Sequence, residues 1–460
     1  MMTIKRNEMN MGVNRTCQSI KGKSRMLHVF HRASVGIFKG FAARGTVIAF
    51  AAAALLLTSH SPARAAAVNL VQSGSYTLAG TTGTVTLGQA VDETKAFLVF
   101  GASVNTGAAS DENVAGQLTD PNTPGVFDTI SFSRLTGATN AAIHWYVIEF
   151  ASGVTVQRGT TAINGGGTAT LSPAVDLTKS FPIISFRNNS ASGQMGADDF
   201  VRAKITATDT LSLFNGGNNV VEWQVVEYAD SVVQTGDITL LNSSDIQNDT
   251  LTAVDLSKTW LVYSANVTTT TQSNPDMFAY RGQFTTATNV QFDRVGTTAR
   301  DGFITWYAIE FTDTTNVFSG EQGFTNAGTN PVNVLLATPV DTSLAIAGSG
   351  YLMKGGRSTT SNTDNYGIAW FTQNLTSSTN LRLERSRNDS TANFAWQVVE
   401  FPPDCTPTTP TVTVAPASLI VPVAAGIVNY TITVQNNDVD AGCSPVDFAL
   451  TANTTGGTNS

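Results

Sequence analysis

Four nearly identical strands recur along this chain, and their spacing constrains its architecture more than any other feature. Each strand contains a tryptophan and, four residues later, a glutamate, and the tryptophans lie 78, 83 and 90 residues apart. The tryptophans are Trp145, Trp223, Trp306 and Trp396, and the glutamates are Glu149, Glu227, Glu310 and Glu400. Self-similarity at a nearly fixed period indicates one structural unit copied in tandem. We therefore predict four repeats, over residues 66–150, 151–228, 229–311 and 312–401.

Each repeat has the pattern of an antiparallel β-sandwich. Short alternating segments are separated by clusters of Gly, Asn, Ser and Thr, and no amphipathic helical pattern follows the N-terminal segment. A length of about 80 residues suits six to eight short strands, whereas a propeller blade of ~40–50 residues fits the period poorly. The predicted fold is all-β, a tandem array of four sandwiches. Phe150 leads into the next repeat without a linker, which predicts a stiff rod or a packed cluster.

The tryptophan strand is apolar on both faces. In the first repeat Trp145, Val147 and Glu149 share one face, and Tyr146 lies on the other. A strand covered on both sides has this pattern, so we expect one face in the sandwich core and the other against a neighbouring repeat or a partner. For the glutamates we expect a position where the strand leaves the core and meets water or caps a backbone group, with ligand binding as the alternative.

A second landmark precedes each tryptophan by about fifty residues. It is an aspartate within Ala-Val-Asp-x-Thr/Ser-Lys, and the fourth copy is degenerate. The four residues are Asp92, Asp176, Asp255 and Asp341. An aspartate side chain accepts a hydrogen bond from the backbone N–H two residues on, which closes a turn between two strands. We therefore predict four equivalent turns, with a metal or ligand role as the alternative.

The N-terminal segment has the pattern of an export signal. Basic residues precede a short apolar run from Val47 to Leu57, and Ala63-Arg64-Ala65 has the small-x-small form of a cleavage site. The run is shorter than the ~20 residues that span a bilayer. A membrane anchor or an internal helix is the alternative. We predict that residues 1–65 are a cleaved signal peptide, leaving an extracellular or cell-surface protein without a transmembrane segment.

Charge and histidine content narrow the classes of function that this chain can have. Removal of residues 1–65 leaves 16 basic and 33 acidic side chains, a net charge of −17, which disfavours nucleic acid as a partner. His144 is then the one remaining histidine, and its position holds Glu222, Thr305 and Ala395 in the other repeats. We expect a solvated rather than a catalytic side chain there.

Two cysteines remain after the predicted cleavage. We expect Cys405 and Cys443 to form a disulfide, because exported proteins mature under oxidising conditions. Closing a loop of that length contributes about 3–4 kcal/mol. The sequence contains no recognisable metal-ligand or cofactor motif, so no catalytic, cofactor or metal residue is predicted.

The segment 402–460 differs from the repeats in composition and strand pattern. A Pro-rich linker leads into Val412-Thr413-Val414, a strand at Tyr430 to Val434, and an Asn-Asn-Asp turn, with Cys405 and Cys443 flanking them. This stretch of about 55 residues resembles the immunoglobulin-like β-sandwich domains that trail secreted bacterial hydrolases and surface proteins. The resemblance implies a partial immunoglobulin-like domain acting as a spacer or binding accessory.

These observations predict a non-catalytic structural or adhesive surface protein, such as a component of an extracellular fibre, coat or stalk. Its expected partners are further copies or neighbouring surface proteins. The alternative is an array of carbohydrate-binding modules, for which Trp260, Trp370 and Tyr351 are the candidate exposed aromatics. An enzyme with a pair of catalytic carboxylates is a third possibility, but a fourfold repeat argues against a single active site.

Overall fold

The computed structural model describes residues 31–36, 66–105, 113–120, 124–189, 196–267, 278–295, 301–348, 356–358, 366–403, 411–415, 427–435 and 437. The chain divides into two compact units. One is Ala63–Asp404, which contains all four repeats, and the other combines Met1–Pro62 with Cys405–Ser460. The described strands are numbered along the chain, from β1 (His31–Gly36) to β28 (Ile427–Gln435).

Each repeat contributes six strand positions, which we call A to F in chain order. Repeat 1 contains β2 (Ala67–Leu78), β3 (Thr82–Asp92), β4 (Ala96–Val104), β5 (Ala115–Thr119), β6 (Val126–Ser133) and β7 (Ala141–Ser152). Repeat 2 contains β8 (Val154–Asn164), β9 (Gly167–Thr170), β10 (Ser180–Asn188), β11 (Arg202–Ala207), β12 (Thr210–Phe214) and β13 (Asn218–Tyr228). A 3-10 turn at Ala197–Asp199 precedes β11.

The third and fourth repeats follow the same order. Repeat 3 contains β14 (Ser231–Leu240), β15 (Ile246–Thr250), β16 (Thr259–Val267), β17 (Arg281–Thr286), β18 (Asn289–Asp293) and β19 (Gly302–Phe311). Repeat 4 contains β20 (Asn316–Phe324), β21 (Val332–Leu335), β22 (Ala345–Ala347), β23 (Gly356–Ser358), β24 (Phe371–Ser377), β25 (Asn380–Arg385) and β26 (Ala392–Glu400). Both β22 and β23 occupy position C, and a 3-10 turn at Tyr366–Ile368 precedes β24.

Every repeat is a sandwich of two antiparallel sheets, which confirms the predicted all-β fold of tandem sandwich modules. Strands A, F and C form one sheet with F in the centre, and strands B, E and D form the other with E in the centre. The tryptophan strand is strand F in all four repeats, so Trp145, Trp223, Trp306 and Trp396 occupy equivalent central strands.

The two faces of strand F serve two different cores. In repeat 1 Trp145 and Val147 pack with Ile130 and Phe132 inside the sandwich. The opposite face, which carries Tyr146, belongs to a larger cluster to which all four repeats contribute. The strand is therefore apolar on both sides because one side fills its own sandwich and the other fills a core shared between repeats.

The four repeats close on one another. Strand D of each repeat packs beside the F strand of the next: β5 beside β13, β11 beside β19, β17 beside β26, and β24 of repeat 4 beside β7 of repeat 1. The first and last segments of the unit also meet, because the Val68 N–H donates to the Pro402 carbonyl at 2.9 Å. Of the two arrangements expected from the absent linkers, the packed cluster is the one observed, within the single unit Ala63–Asp404.

The other unit has three described strands. Strands β1, β28 and β27 (Thr411–Ala415) form an antiparallel sheet in that order. Strands β27 and β28 coincide with the two tail segments that carry the immunoglobulin-like resemblance, which itself stays a prediction. Strand β1 lies within the predicted signal peptide, so cleavage after residue 65 would remove it from this sheet.

Candidate functional site

The recurring glutamate and aspartate of each repeat meet in one hydrogen-bonded unit. The glutamate of strand F accepts a hydrogen bond from the backbone N–H of the aspartate that begins the turn before strand C. The pairs are Glu149 with Asp92 at 2.6 Å, Glu227 with Asp176 at 2.7 Å, Glu310 with Asp255 at 2.7 Å and Glu400 with Asp341 at 2.6 Å. The structure thus places all four glutamates as backbone caps at the end of the tryptophan strand.

The aspartate side chain in turn closes its own turn. Asp176 Oδ1 accepts hydrogen bonds from the backbone N–H and the hydroxyl of Thr178, at 2.8 and 2.7 Å. Thr94, Ser257 and Ser343 make the same pair of bonds to Asp92, Asp255 and Asp341. These bonds lower the pKa of Asp176 and of Asp255 below the usual value of an aspartate. The eight recurring carboxylates therefore orient backbone.

Each recurring tryptophan lies over a glycine of strand A. The glycines Gly74, Gly159, Gly236 and Gly320 stand directly opposite Trp145, Trp223, Trp306 and Trp396 in the strand register. A Cβ atom on any of them would lie 2.6–2.7 Å from the indole Cζ2. Only glycine leaves room for the indole to lie against the strand, so the two residues form one packing unit. This partner is visible in the sequence as a glycine that recurs in strand A.

The residue after each tryptophan reaches into the preceding repeat, and its type alternates. Leu375 N donates to the Tyr146 hydroxyl at 2.8 Å, and Ile205 N donates to the Tyr307 hydroxyl at 2.9 Å, so both tyrosines bind a strand D. The equivalent Gln224 and Gln397 bind strand C instead. The Gln224 amide donates to the Leu98 carbonyl and accepts from the Leu98 N–H, both at 2.9 Å. Repeats 1 and 3 thus use one type of contact, and repeats 2 and 4 the other.

Four aromatic residues at the ends of the F strands, with Phe401 directly after β26, form a closed quartet of rings. Phe150, Tyr228, Phe311 and Phe401 contact one another in sequence, with centroid separations of 5.6, 5.0 and 5.7 Å, and Phe401 contacts Phe150 at 5.3 Å. The rings of successive members meet edge-on, at interplanar angles between 70° and 88°. All four are buried. Because each repeat supplies one ring, the quartet joins all four.

Three buried arginines hold the loops of their repeats, a role that the sequence pattern alone did not indicate. Arg134, Arg294 and Arg385 follow or end strand E and donate to backbone carbonyls of the loop after strand A. Arg385, for example, donates to the carbonyls of Thr325 and Ser390 at 3.3 and 2.7 Å, and burial lowers its pKa to about 10. Their recurrence at one position is the signal that identifies them.

A cleft lies where repeat 4 meets repeat 1. It has a volume of about 150 Å³ and is lined by Ser75 and His144 of repeat 1 and by Thr372, Asn374, Arg382 and Glu384 of repeat 4. The prediction that His144 is solvated is wrong. Its side chain is 5% exposed, Nδ1 lies 3.0 Å from the Ser75 hydroxyl, and burial lowers its pKa to about 4.

On the repeat 4 side, the cleft is lined by a threonine at a position where two other repeats have an arginine. By strand register Thr372 occupies the position of Arg202 in repeat 2 and Arg281 in repeat 3. Arg202 fills the corresponding space between repeats 2 and 3, where it donates to Thr305 at 2.8 Å and pairs with Asp237 at 3.2 Å. The shorter threonine leaves the space beside His144 open. Among the described residues, the Nε2 atom of His144 has no hydrogen-bond partner.

The remaining sequence candidates divide into buried and undescribed residues. Trp260 and Trp370 are 0% and 2% exposed, so they belong to the core and not to an exposed sugar-binding face. Tyr351, Cys405 and Cys443 lie outside the described residues, and with them the predicted disulfide. Within the described ranges no group of three or more His, Cys, Asp or Glu side chains is placed to hold a metal ion. No helix in those ranges is long and apolar enough to cross a membrane.

Comparison with known proteins adds no assignment. No family model matches this chain, and no curated protein matches it.

Proposed function

We propose that this protein is a secreted, non-catalytic structural or adhesive surface protein, whose four repeats act together as one rigid building block. The observation that supports this most is the use of the recurring residues. The glutamates and aspartates bind backbone, the tryptophans pack on glycines, and the terminal aromatic rings join the four repeats. Residues that recur fourfold thus maintain the fold rather than present a repeated ligand site.

Self-association has a physical basis in the outer sheets. Strand B lies at an edge of each B–E–D sheet, and an edge strand offers backbone groups to another chain. In repeat 4 this edge strand, β21, ends in Leu335, whose side chain is 79% exposed. An unpaired edge strand that ends in an exposed leucine favours pairing with a strand of a further copy or of a neighbouring surface protein.

Carbohydrate binding is the second candidate, and the cleft beside His144 supports it. Its lining combines a hydroxyl, an amide, an arginine and a glutamate, which are the hydrogen-bonding groups that a small polyhydroxylated ligand needs. This candidate differs from the array of modules expected from the sequence. The cleft belongs to the junction between repeats 4 and 1, so it predicts one site per chain.

Electron microscopy and a glycan array on the secreted protein distinguish the candidates. The structural proposal predicts ordered assemblies that Leu335→Lys weakens, because a charge on the edge strand opposes pairing. Leu256→Lys is the matched control, since Leu256 is exposed in a turn and not on an edge strand. Saturable glycan binding by the monomer, lost in Asn374→Leu, would favour the second candidate. Turnover of a polysaccharide, abolished by replacing one pair of carboxylates, would contradict both.

A further inference from the structure

The first residues after the predicted cleavage site are buried in the centre of the repeat unit. Ala66, Ala67 and Val68 are 1%, 3% and 2% exposed, and Ala66 and Val68 belong to the core that all four repeats share. The Ala66 nitrogen donates to Asp230 Oδ2 at 2.8 Å, across 164 residues of sequence. A residue at the start of a domain is usually frayed unless specific contacts hold it. Ala66 is therefore held in place by a carboxylate.

This carboxylate has an acidic neighbour. Asp230 and Asp313 each lie seven residues after the tryptophan of their repeat, and burial raises the pKa of Asp313, with the charge of Asp230 adding to the effect. Asp313 accepts hydrogen bonds from the Tyr228 hydroxyl at 2.7 Å and from the Thr315 N–H at 2.8 Å. Tyr228 is a member of the aromatic quartet, so this acidic pair lies beside the junction of the four repeats.

A cationic side chain for the pair is not found among the described residues. No ion pair there joins Asp230 or Asp313 to a lysine or arginine. Lys179 and Lys258 lie close. The Nζ of Lys179 donates to the backbone carbonyl of Ser231, and that of Lys258 donates to the carbonyls of Asp313 and Thr315, at 3.2 and 2.6 Å. A cation beside Asp230 would compensate these two partly buried carboxylates.

We infer that export cleaves the Ala65–Ala66 bond and that the α-ammonium freed on Ala66 binds Asp230 as a compensating cation. A signal peptidase adds one water across the peptide bond. The carboxylate stays on Ala65 and leaves with the signal, and the nitrogen of Ala66 becomes an ammonium group. The small-x-small motif Ala63-Arg64-Ala65 ends at the bond that places this charge on the atom already in contact with Asp230.

The cleavage has to precede folding of the repeat unit. Ala66 to Val68 are buried once strand β2 has docked, and the Val68 N–H is bonded to Pro402 at the end of repeat 4. A peptidase needs an extended and accessible chain at the bond it cleaves. Processing on the unfolded chain, followed by docking of the new terminus, is therefore the order that this geometry requires.

The first test is the N-terminal residue of the secreted protein, determined by intact mass and by N-terminal peptide sequencing. The inference predicts that the mature chain begins at Ala66. A mature chain that begins at any other residue overturns it, because the ammonium would then lie away from Asp230. The inference rests on the secretion proposed above, whereas this result does not depend on the structural or adhesive role.

The second test is a double-mutant cycle on the mature protein. One axis compares the free Ala66 terminus with the same chain carrying one extra glycine, and the other compares Asp230 with Asp230→Asn. We expect the glycine extension to lower the midpoint of thermal unfolding by about 2 °C or more when Asp230 is present. It should have a much smaller effect in Asp230→Asn, and an exposed control, Asp209→Asn, should leave the extension effect unchanged.

Two outcomes would overturn the inference. An extension that leaves the midpoint unchanged shows that the terminal charge has no role, and an equal loss with and without Asp230 shows a purely steric effect. If Asp230→Asn does not fold, Asp230→Ser replaces it, because Ser152 occupies the equivalent position in repeat 1. An acetylated Ala66 terminus is a further readout, since it removes the charge and should reproduce the loss caused by the extension.

Discussion

The packing of tryptophan on glycine predicts that a single methyl group in strand A will destabilise the repeat unit. In Gly236→Ala the new Cβ would lie 2.6 Å from Trp306 Cζ2, 2.7 Å from its Cε2 and 2.8 Å from Asp249 Oδ2. The indole has little room to move, because it is 2% exposed and its Nε1 donates to the same Asp249 at 3.0 Å.

The magnitude follows from three contributions. Overpacking of a filled core costs about 1–3 kcal/mol, and weakening the indole hydrogen bond adds about 1 kcal/mol. Replacing glycine by alanine stabilises by about 0.4–1 kcal/mol through the unfolded chain. The expected net loss in the free energy of unfolding is therefore about 1–3.5 kcal/mol.

Urea unfolding followed by tryptophan fluorescence measures this loss. Gly80→Ala is the matched control, because its nearest contact is Thr82 O at 4.0 Å, and it should be neutral or stabilising. Replacing the indole in Trp306→Leu should relieve the clash. The double variant Gly236→Ala, Trp306→Leu should therefore lose at least about 1 kcal/mol less free energy of unfolding than the sum of the two single variants. A stability for Gly236→Ala within about 0.5 kcal/mol of the parent would refute the packing argument.

Three further predictions follow from the contacts within and between repeats. Burial holds His144 neutral, with a folded pKa of about 4 against an unfolded value of about 6.5. The contribution of neutral His144 to the free energy of unfolding is therefore fully present above about pH 6.5, and up to about 3 kcal/mol is lost as the pH falls toward 4. The variant His144→Thr introduces the residue that repeat 3 has at this position. It should flatten this part of the pH profile, measured by urea unfolding. Tyr146→Phe should cost about 1–2 kcal/mol by removing the hydroxyl contact to Leu375, and Tyr307→Phe should cost a similar amount. Losses below about 0.3 kcal/mol at both would count against these contacts. Glu227→Ala should cost about 1 kcal/mol because it removes the acceptor of the Asp176 N–H, and Glu227→Gln, which keeps an acceptor, should cost less. Equal losses in the two variants would argue against the capping role.

Much of the fold was predictable because the repeat supplies four readings of the same pattern. The central place of the tryptophan strand, its two covered faces and the form of the Asp176 turn all follow from alternation and from turn chemistry. The glycine opposite each tryptophan, such as Gly236, was also visible as a recurring residue. Its role depends on cross-strand register, however, and register is not fixed by a single strand.

The contacts between repeats were less accessible to sequence reasoning. The identity of the neighbour that covers Tyr146 depends on whether repeat 4 returns to repeat 1, and the zero-length connections allow both a rod and a closed cluster. The prediction that His144 is solvated was wrong for the same reason. Its position varies between repeats because it faces a junction, where Thr372 leaves space, and not because it faces water.

Small-angle X-ray scattering of the repeat unit, residues 66–404, shows whether the four repeats close into one compact unit. A compact body of this length has a radius of gyration of about 20 Å. Four separate modules of about 80 residues placed in line would give roughly 35 Å, from module radii of about 12 Å and spacings of about 30 Å. Closure of the four repeats predicts the smaller value, unchanged between dilute and moderate concentrations. A radius near the larger value would show an open rod and contradict the closure of repeat 4 onto repeat 1.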